Sequence, residues 1–339
     1  IDNHNWNNLY IVTYAHERNV KVKLCATLFG QSELTALLSS PTNRENAINN
    51  LLERVINQNA DGIDIDFELL PYSQRDNLVL FMEELSTAFH EEMEDPIITM
   101  ATPAVDWSNA WDYHSLAQIT DGLFIMGYNY FYSGSSTAGP VSPLGDYYYD
   151  LEYTMLDYID KTDNQLDKLI LGLPYYGYDW PVQDELINSE TTGYGIARIY
   201  SDAETMSEQY GYNYSDDSQS AWFNYNNSAW HQCWYDDSLS LSTKYEYIKT
   251  LNIKGVGIWA LGYDDGHNEL WGALYDEFIS IIIGDLNFDE QVNIFDIILL
   301  VSIIVEQDTP YNQNADLNSD GVINVVDIIH MVTIVLESE

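Results

Sequence analysis

Short runs of apolar and β-branched residues alternate along this chain with longer stretches whose apolar positions recur at helical spacing. The short runs, at residues 20–28, 62–68, 97–103, 123–129, 169–175 and 256–261, read as strands. Residues 42–57, 73–93, 151–160 and 242–251 carry the 3.6-residue period of amphipathic helices. Strand–helix alternation at this spacing predicts βα units around a parallel sheet. No glycine-rich phosphate turn follows any strand, so a (β/α) barrel fits better than a doubly wound sheet. Residues 178–241 break the alternation. They are rich in Tyr, Asn, Ser and Asp and read as an insertion before the last strand.

One strand has an unusual polar face. In Asp61-Gly62-Ile63-Asp64-Ile65-Asp66-Phe67-Glu68, Ile63, Ile65 and Phe67 alternate with Asp64, Asp66 and Glu68. Successive strand residues point to opposite sides, so the apolar face packs under helices and the three carboxylates face the lumen. Glu68 comes last and falls at the C-terminal mouth, where barrels of this kind keep their chemistry. Like charges a few ångströms apart raise one another's pKa, which can keep a Glu protonated as a general acid. A metal site or a solvated edge strand is the alternative. Carboxylates without His make a poor zinc site, and the alternation is too regular for an edge.

This octet resembles the DxxDxDxE signature of glycoside hydrolase family 18, the chitinase-like enzymes. Met126-Gly127-Tyr128-Asn129, Leu171-Gly172-Leu173-Pro174-Tyr175-Tyr176-Gly177 and Gly255-Val256-Gly257-Ile258-Trp259 resemble its sixth, seventh and eighth strands in order. Tyr176-Gly177-Tyr178-Asp179-Trp180 leans toward the bacterial branch of spore-cortex glucosaminidases and chitobiase-like members. The resemblance implies an α/β (β/α)8 TIM barrel in which residues 20–28 form the third strand, so that the first two are missing from this sequence. It implies Glu68 as acid and then base, Asp66 on the 2-acetamido group, Asp64 sharing a proton with Asp66, and Tyr128 donating to the acetamido oxygen. Trp259 would carry the sugar on its ring face, and Asp61, Met126, Asn129 and Tyr175 would help bind it. Asp66 and Glu68 share one strand and cannot attack opposite faces of a sugar, so the acetamido carbonyl would be the nucleophile. Cys25-Ala26-Thr27-Leu28-Phe29-Gly30 departs from the Ser-x-Gly-Gly of many members.

Charge changes the picture at the C-terminal end. The chain of 339 residues has 54 acidic and 12 basic side chains, a net charge of −42, which argues against binding nucleic acid or an anionic membrane surface. From Gly284 to Glu339 there are seven Asp, four Glu and no Lys or Arg. Two twelve-residue loops stand out there. The first offers Asp285, Asn287, Asp289, Gln291, Asn293 and Asp296, the second Asp316, Asn318, Asp320, Val322, Asn324 and Asp327. Oxygen ligands at positions 1, 3, 5, 9 and 12, with a backbone carbonyl at 7, are the calcium-loop arrangement of an EF-hand. Gly321 supplies the turn at position 6 of the second loop; the first has Glu290 there.

This duplicated half-hand resembles a dockerin, the small all-α calcium-binding module that plugs enzymes into cohesin scaffolds. The resemblance implies two Ca²⁺ sites. Ile294-Phe295 and Val325-Val326 stand where dockerins usually have Ser-Thr recognition positions. They point to a partner that is either a cohesin-like scaffold protein or, intramolecularly, the barrel. The domains expected are a barrel over residues 1–283, with an insertion at about 178–241, and a dockerin-like module over 284–339. Calcium at millimolar levels points to an extracellular protein, and the remaining acid excess to a surface adapted to salt. No apolar run reaches the roughly 18 residues of a membrane helix.

Cys25 and Cys233 read as buried thiols, with a disulfide as the alternative. Twenty-seven Tyr and nine Trp exceed what a core needs; Trp180, Trp230 and Trp234 read as cleft walls for sugar rings. The function expected is retaining, substrate-assisted hydrolysis of β-1,4 bonds in N-acetylglucosamine polysaccharide, chitin or its oligomers. The alternatives are a peptidoglycan or N-glycan glucosaminidase and a non-catalytic carbohydrate-binding barrel.

Overall fold

The computed structural model describes residues 9–278, 282–287, 289, 291–306 and 313–337. It divides into two compact units, residues 1–273 and 274–339.

The first unit is built on six parallel strands: β1 (Lys23–Phe29), β2 (Gly62–Glu68), β3 (Ile97–Pro103), β4 (Gly122–Met126), β5 (Leu169–Pro174) and, late in the chain, β11 (Gly255–Trp259). They pair in the order β1-β2-β3-β4-β5-β11, and β1 and β11 are the two edges. Helices follow the strands because the intervening sequence supplies both stripe and caps. Ser40 accepts from Asn43 N at 3.3 Å ahead of Pro41, Asp150 from Tyr153 N at 2.8 Å, and Asp237 from Ser240 N at 2.8 Å; each such cap is worth about 1 kcal/mol. The helices Pro41–Asn57 and Arg75–Glu92 are clasped by a bidentate pair, Arg44 to Glu84 at 2.8 and 2.9 Å.

The outward face of β2 is the apolar one, as its alternation requires. Ile63, Ile65 and Phe67 are buried, and Phe67 meets Phe81 at 5.5 Å between ring centroids. Each such burial stabilises by roughly 1.5–3 kcal/mol. On the inner side, Phe124 fills the lumen between two glycines. A Cβ on Gly172 or Gly257 would stand 2.4 or 2.1 Å from its ring, so neither position can carry a side chain while the ring stays.

The insertion is a small subdomain built on a second sheet. It holds β6 (Tyr176–Val182), β7 (Ile196–Ile199), β8 (Asn213–Ser215), β9 (Ser220–Asn226) and β10 (Trp230–Tyr235), antiparallel in the order β7-β6-β10-β9-β8. Trp180 and Trp234 are fully buried in its core, with Trp230 packed against them. Trp180 and Trp234 cannot wall a sugar cleft: these rings hold the inserted sheet together. Cys25 and Cys233 are both free, Cys233 buried and Cys25 exposed on the lumen side of edge strand β1.

The second unit has two apolar helices, Ile294–Glu306 and Val325–Glu337, packed around Leu286, Leu300, Ala315 and Met331. No described helix in the molecule is long and apolar enough to cross a membrane.

Candidate active site

Register sets the site. Along β1 and β2, Cys25 lies beside Asp64, Thr27 beside Asp66 and Phe29 beside Glu68; across β2 and β3, Asp64 lies beside Thr99. Asp64, Asp66 and Glu68 therefore form one inward row, spaced about 6.6 Å apart as alternate residues of a strand. Asp66 is 8% exposed. Burial first, then the neighbouring charges of Glu68 and Asp64, push its carboxyl up to about 7. Burial also raises Glu68. One of the Asp66 oxygens, Oδ1, is buried with no hydrogen-bond partner among the described residues. Such an atom is costly unless a ligand satisfies it.

Tyr128 follows β4. Burial and then the charges of Asp66, Glu68 and Asp64 hold its hydroxyl above the usual phenol range, so it remains a donor. Met126 and Glu68 line a cavity of about 220 Å³ together with Pro103, Trp107 and Trp111. Asn129 is exposed and accepts from the Tyr176 hydroxyl at 2.7 Å. Trp259 ends β11, is 48% exposed and precedes a cis peptide bond to Ala260. These residues assemble at the C-terminal ends of the strands.

Two expected sugar contacts are corrected. Asp61 lies at the N-terminal end of β2, about 23 Å of extended strand from Glu68. There it accepts from Val22 N at 2.7 Å, His16 at 2.8 Å and Lys21 at 3.0 Å, tying the start of β1 to β2. Tyr175 is fully buried, its ring edge-on to Trp271 at 6.3 Å, and it packs beneath the mouth instead of opening into it. Asp64 also differs in detail: Thr99 Oγ1 donates to its Oδ1 and Cys25 Sγ to its Oδ2 at 3.9 Å. Among the described residues no hydrogen bond joins it to Asp66.

Sequence reasoning missed Trp107 and the loop that carries it. Asp106 accepts from Ser108 Oγ, Ala110 N and Trp111 N at 3.0–3.1 Å, a local Asx turn. The turn leaves Trp107 76% exposed, edge-on to Tyr149 at 4.6 Å. The legible signal was Asp106-Trp107-Ser108, with two residues between it and the end of a strand.

In the second unit the carboxylates of Asp285, Asp289 and Asp296 converge within 4.8 Å of one another. The two loops share their main backbone-to-carboxylate bonds. Asp289 N donates to Asp285 as Asp320 N does to Asp316; Asn293 N donates to Asp296 as Asn324 N does to Asp327, at 2.9 and 2.8 Å. Asp285, Asp296, Asp316 and Asp327 are all buried, in a segment whose sequence offers no Lys or Arg. An all-oxygen, anionic donor set of this kind suits a hard divalent cation. Gly321, at φ 82°, takes the left-handed turn position. Glu290, at the same place in the first loop, lies outside the described residues.

Fold and site thus define a (β/α) barrel whose mouth is equipped for acid–base chemistry, joined in one chain to a cation-binding module. The model of glycosyl hydrolases family 18 matches residues 2–264, and that of the dockerin type I domain residues 283–333. The chain belongs to glycosyl hydrolase family 18 and carries a dockerin type I domain. It is 28% identical over 253 residues to the cortical fragment-lytic enzyme of Bacillus subtilis, across 71% of this chain and 55% of that protein. It is 29% identical over 281 residues to human di-N-acetylchitobiase, across 74% and 69%. The chain spans about half the length of the Bacillus subtilis relatives it matches. Human YKL-39, described as a pseudo-chitinase with retained chitooligosaccharide binding, shares the fold at a TM-score of 0.74 and 20% identity, covering 83% of this chain and 87% of that one.

Proposed function

We propose that this protein hydrolyses β-1,4 bonds next to N-acetylglucosamine in chitin-type polysaccharide, with retention and with the substrate's own acetamido group as nucleophile. The observation that carries the reading is the inward row on β2, in which a half-buried Glu68 with raised proton affinity follows a buried Asp66 with a free oxygen. Glu68 protonates the glycosidic oxygen. The acetamido carbonyl closes on the anomeric carbon while Asp66 accepts from the acetamido N–H and Tyr128 donates to its oxygen. Glu68, now a carboxylate, takes a proton from the water that opens the ring intermediate. Both carboxylates lie on one strand, which leaves the opposite face of the sugar without an enzyme nucleophile.

Peptidoglycan or N-glycan is the second substrate reading; the cortical fragment-lytic relative favours peptidoglycan. The retained Glu68 speaks against a purely binding barrel. Incubating the protein with chitooligosaccharides, muropeptides, N-glycans and a glucose-only β-1,4 oligomer tests the proposal. Reducing ends should appear from an acetamido sugar and not from the glucose oligomer. Cleavage of the latter would remove the substrate-assisted route, and release from none of the four would remove the enzyme.

The C-terminal module is read as binding two Ca²⁺, through Asp285, Asn287, Asp289, Gln291, Asn293 and Asp296, and through Asp316, Asn318, Asp320, Val322, Asn324 and Asp327. The ions offset buried carboxylates and stabilise the fold of the module. Ile294, Phe295, Val325 and Val326 are exposed at the start of the two helices. They are read as the contact for a cohesin-like scaffold outside the cell.

A further inference from the structure

The twelve Lys and Arg of the sequence avoid one end of the barrel. Lys23, whose ammonium donates to Thr99 Oγ1, opens β1, and Lys168 and Lys254 stand just before β5 and β11. Arg54, Lys161 and Lys249 lie in the last turns of the helices Pro41–Asn57, Leu151–Lys161 and Ser238–Leu251. Strand starts and helix C-termini both form the floor, and cations there complement the helix dipoles. The loops that follow the strands form the mouth. Residues 76–160 hold no Lys or Arg, and neither do residues 255–339. Arg75, at the start of its helix, is the exception, and it is paired with Asp112 at 3.2 Å and Asp76 at 3.8 Å. Arg198 of the insertion is held by the buried Asp179 at 2.9 Å. Glu33, Asp146 and Glu152, on the mouth loops and helix starts, are exposed.

Two features inside this anionic rim point to a ligand. Asp66 is 8% exposed, and its Oδ1 lies buried without a hydrogen-bond partner among the described residues. Trp107 shares the Glu68 cavity and leads edge-on to Tyr149, and Tyr149 to Tyr148, at 4.6 Å each. Exposed ring faces attract cations. The described Lys and Arg that cover rings do so elsewhere, Arg18 at Tyr14 and Lys161 at Tyr113.

We propose that this mouth selects partially N-deacetylated chitin: an acetylated unit enters the lumen at Asp66, and glucosamine units on the leaving-group side bring their ammonium groups to Trp107, Tyr149 and Tyr148. The inference rests on the glycosidase reading and names its substrate class. Glu68 protonates the oxygen of the leaving unit, and Trp107 walls the cavity on which Glu68 opens, so the ring meets the leaving chain. A partly deacetylated chain has a positive charge at each free amine and apolar CH faces on its sugar rings. It therefore answers both the rings and the surplus acids. Fully acetylated chitin gains from the rings alone, and the carboxylates of a muropeptide meet like charge. Uncompensated charge around a cleft raises the encounter rate of an opposite charge by roughly 10–10³-fold at low salt, and salt removes the gain. The selection thus falls on kcat/KM and its salt dependence.

The test runs the full chain on a fully acetylated chitin oligomer, a partially deacetylated one of the same length and a muropeptide oligomer. The pH is kept mildly acidic, so that the amines are charged, and NaCl is varied from about 20 to about 500 mM. At low salt, kcat/KM on the deacetylated oligomer should exceed that on the acetylated one by about tenfold, and high salt should remove most of the difference. Glu33→Gln, Asp146→Asn and Glu152→Gln together should flatten the salt dependence. Glu91→Gln, Glu92→Gln and Asp160→Asn, in last turns on the floor, should leave it as it is. Trp107→Ala should raise KM more for the deacetylated oligomer than for the acetylated one. A low-salt preference for the acetylated or the anionic oligomer overturns the proposal. So does a salt dependence that both triple variants flatten equally, the mark of attraction by the net charge of −42 alone. Where the mouth triple does not fold, Trp107→Ala decides, and equal losses on both chitin oligomers overturn the proposal. If no oligomer is cleaved, the glycosidase reading fails. Calorimetric binding then decides the selection: tighter binding of the deacetylated oligomer that Trp107→Ala weakens upholds it, and equal binding of all three ends it.

Discussion

On β2, Asp64, Asp66 and Glu68 hang in a straight file down one wall of the lumen, and among the described residues none of them accepts a backbone N–H. In the C-terminal loops, Asp296 accepts from the backbone of Leu286, Asn287 and Asn293, and Asp327 from that of Asn318 and Asn324. Backbone donors stabilise the charged form of a carboxyl, whereas burial beside like charges stabilises the neutral form. Strand spacing keeps the lumen acids apart, and burial biases Asp66 and Glu68 to hold a proton. Loop curvature brings the others to a point, where only a cation can balance them. The same side chain is thus made a proton site or a metal site by the backbone beneath it.

The largest effect that follows falls on the proton site. Glu68→Gln keeps the shape and removes the transferable proton, so kcat should drop by about 10³-fold while the melting temperature stays within a degree or two. Activity within tenfold of the parent would place the acid elsewhere. The metal site should respond in the opposite sense, in stability before catalysis. Removing calcium with a chelator should strip helical circular dichroism from the second unit and leave glycosidase turnover within twofold. Asp327→Ala should weaken calcium binding by tenfold or more in a calorimetric titration. A tail whose spectrum ignores the chelator would end the comparison.

How much of this was legible depended on whether the signal was local. The alternation in residues 62–68 gave β2 its full extent, because an inward acid row and an outward apolar row leave only one register. The two acidic loops were legible for the same reason: their carboxylates are sequence neighbours. Edge β1 was not: expected from residue 20, it starts at Lys23, because pairing with β2 decides where a strand begins. Lys23 and Thr99 escaped notice because their partnership is made across three strands. Asp61 was assigned to the sugar from its place in a motif, although it sits at the wrong end of the strand. Trp180 and Trp234 were read as cleft walls because composition does not say which core an aromatic ring fills.

A smaller effect separates shape from charge at the mouth. Tyr128→Phe removes one neutral donor and no carboxyl, so kcat should fall by about 10–10²-fold, well short of the Glu68 loss. The pH optimum should stay where it is. A loss as large as that of Glu68→Gln would make the tyrosine part of the proton path instead of an aid to the acetamido oxygen.

The smallest effect concerns stability and has a fixed sign. The Asp66 carboxyl titrates near 7 in the folded chain and near 3.9 when unfolded. Between those values the folded state holds a proton that the unfolded state has released, so stability falls as pH rises from about 4 to about 7 and stays low above that. Asp66→Asn removes the buried charge at similar volume. The variant should melt about 2–5 °C above the parent at pH 8 and together with it at pH 3, although it forfeits turnover. A gain of the same size at both pH values would mean that Asp66 is merely an awkward fit, and that its neighbours have not tuned it.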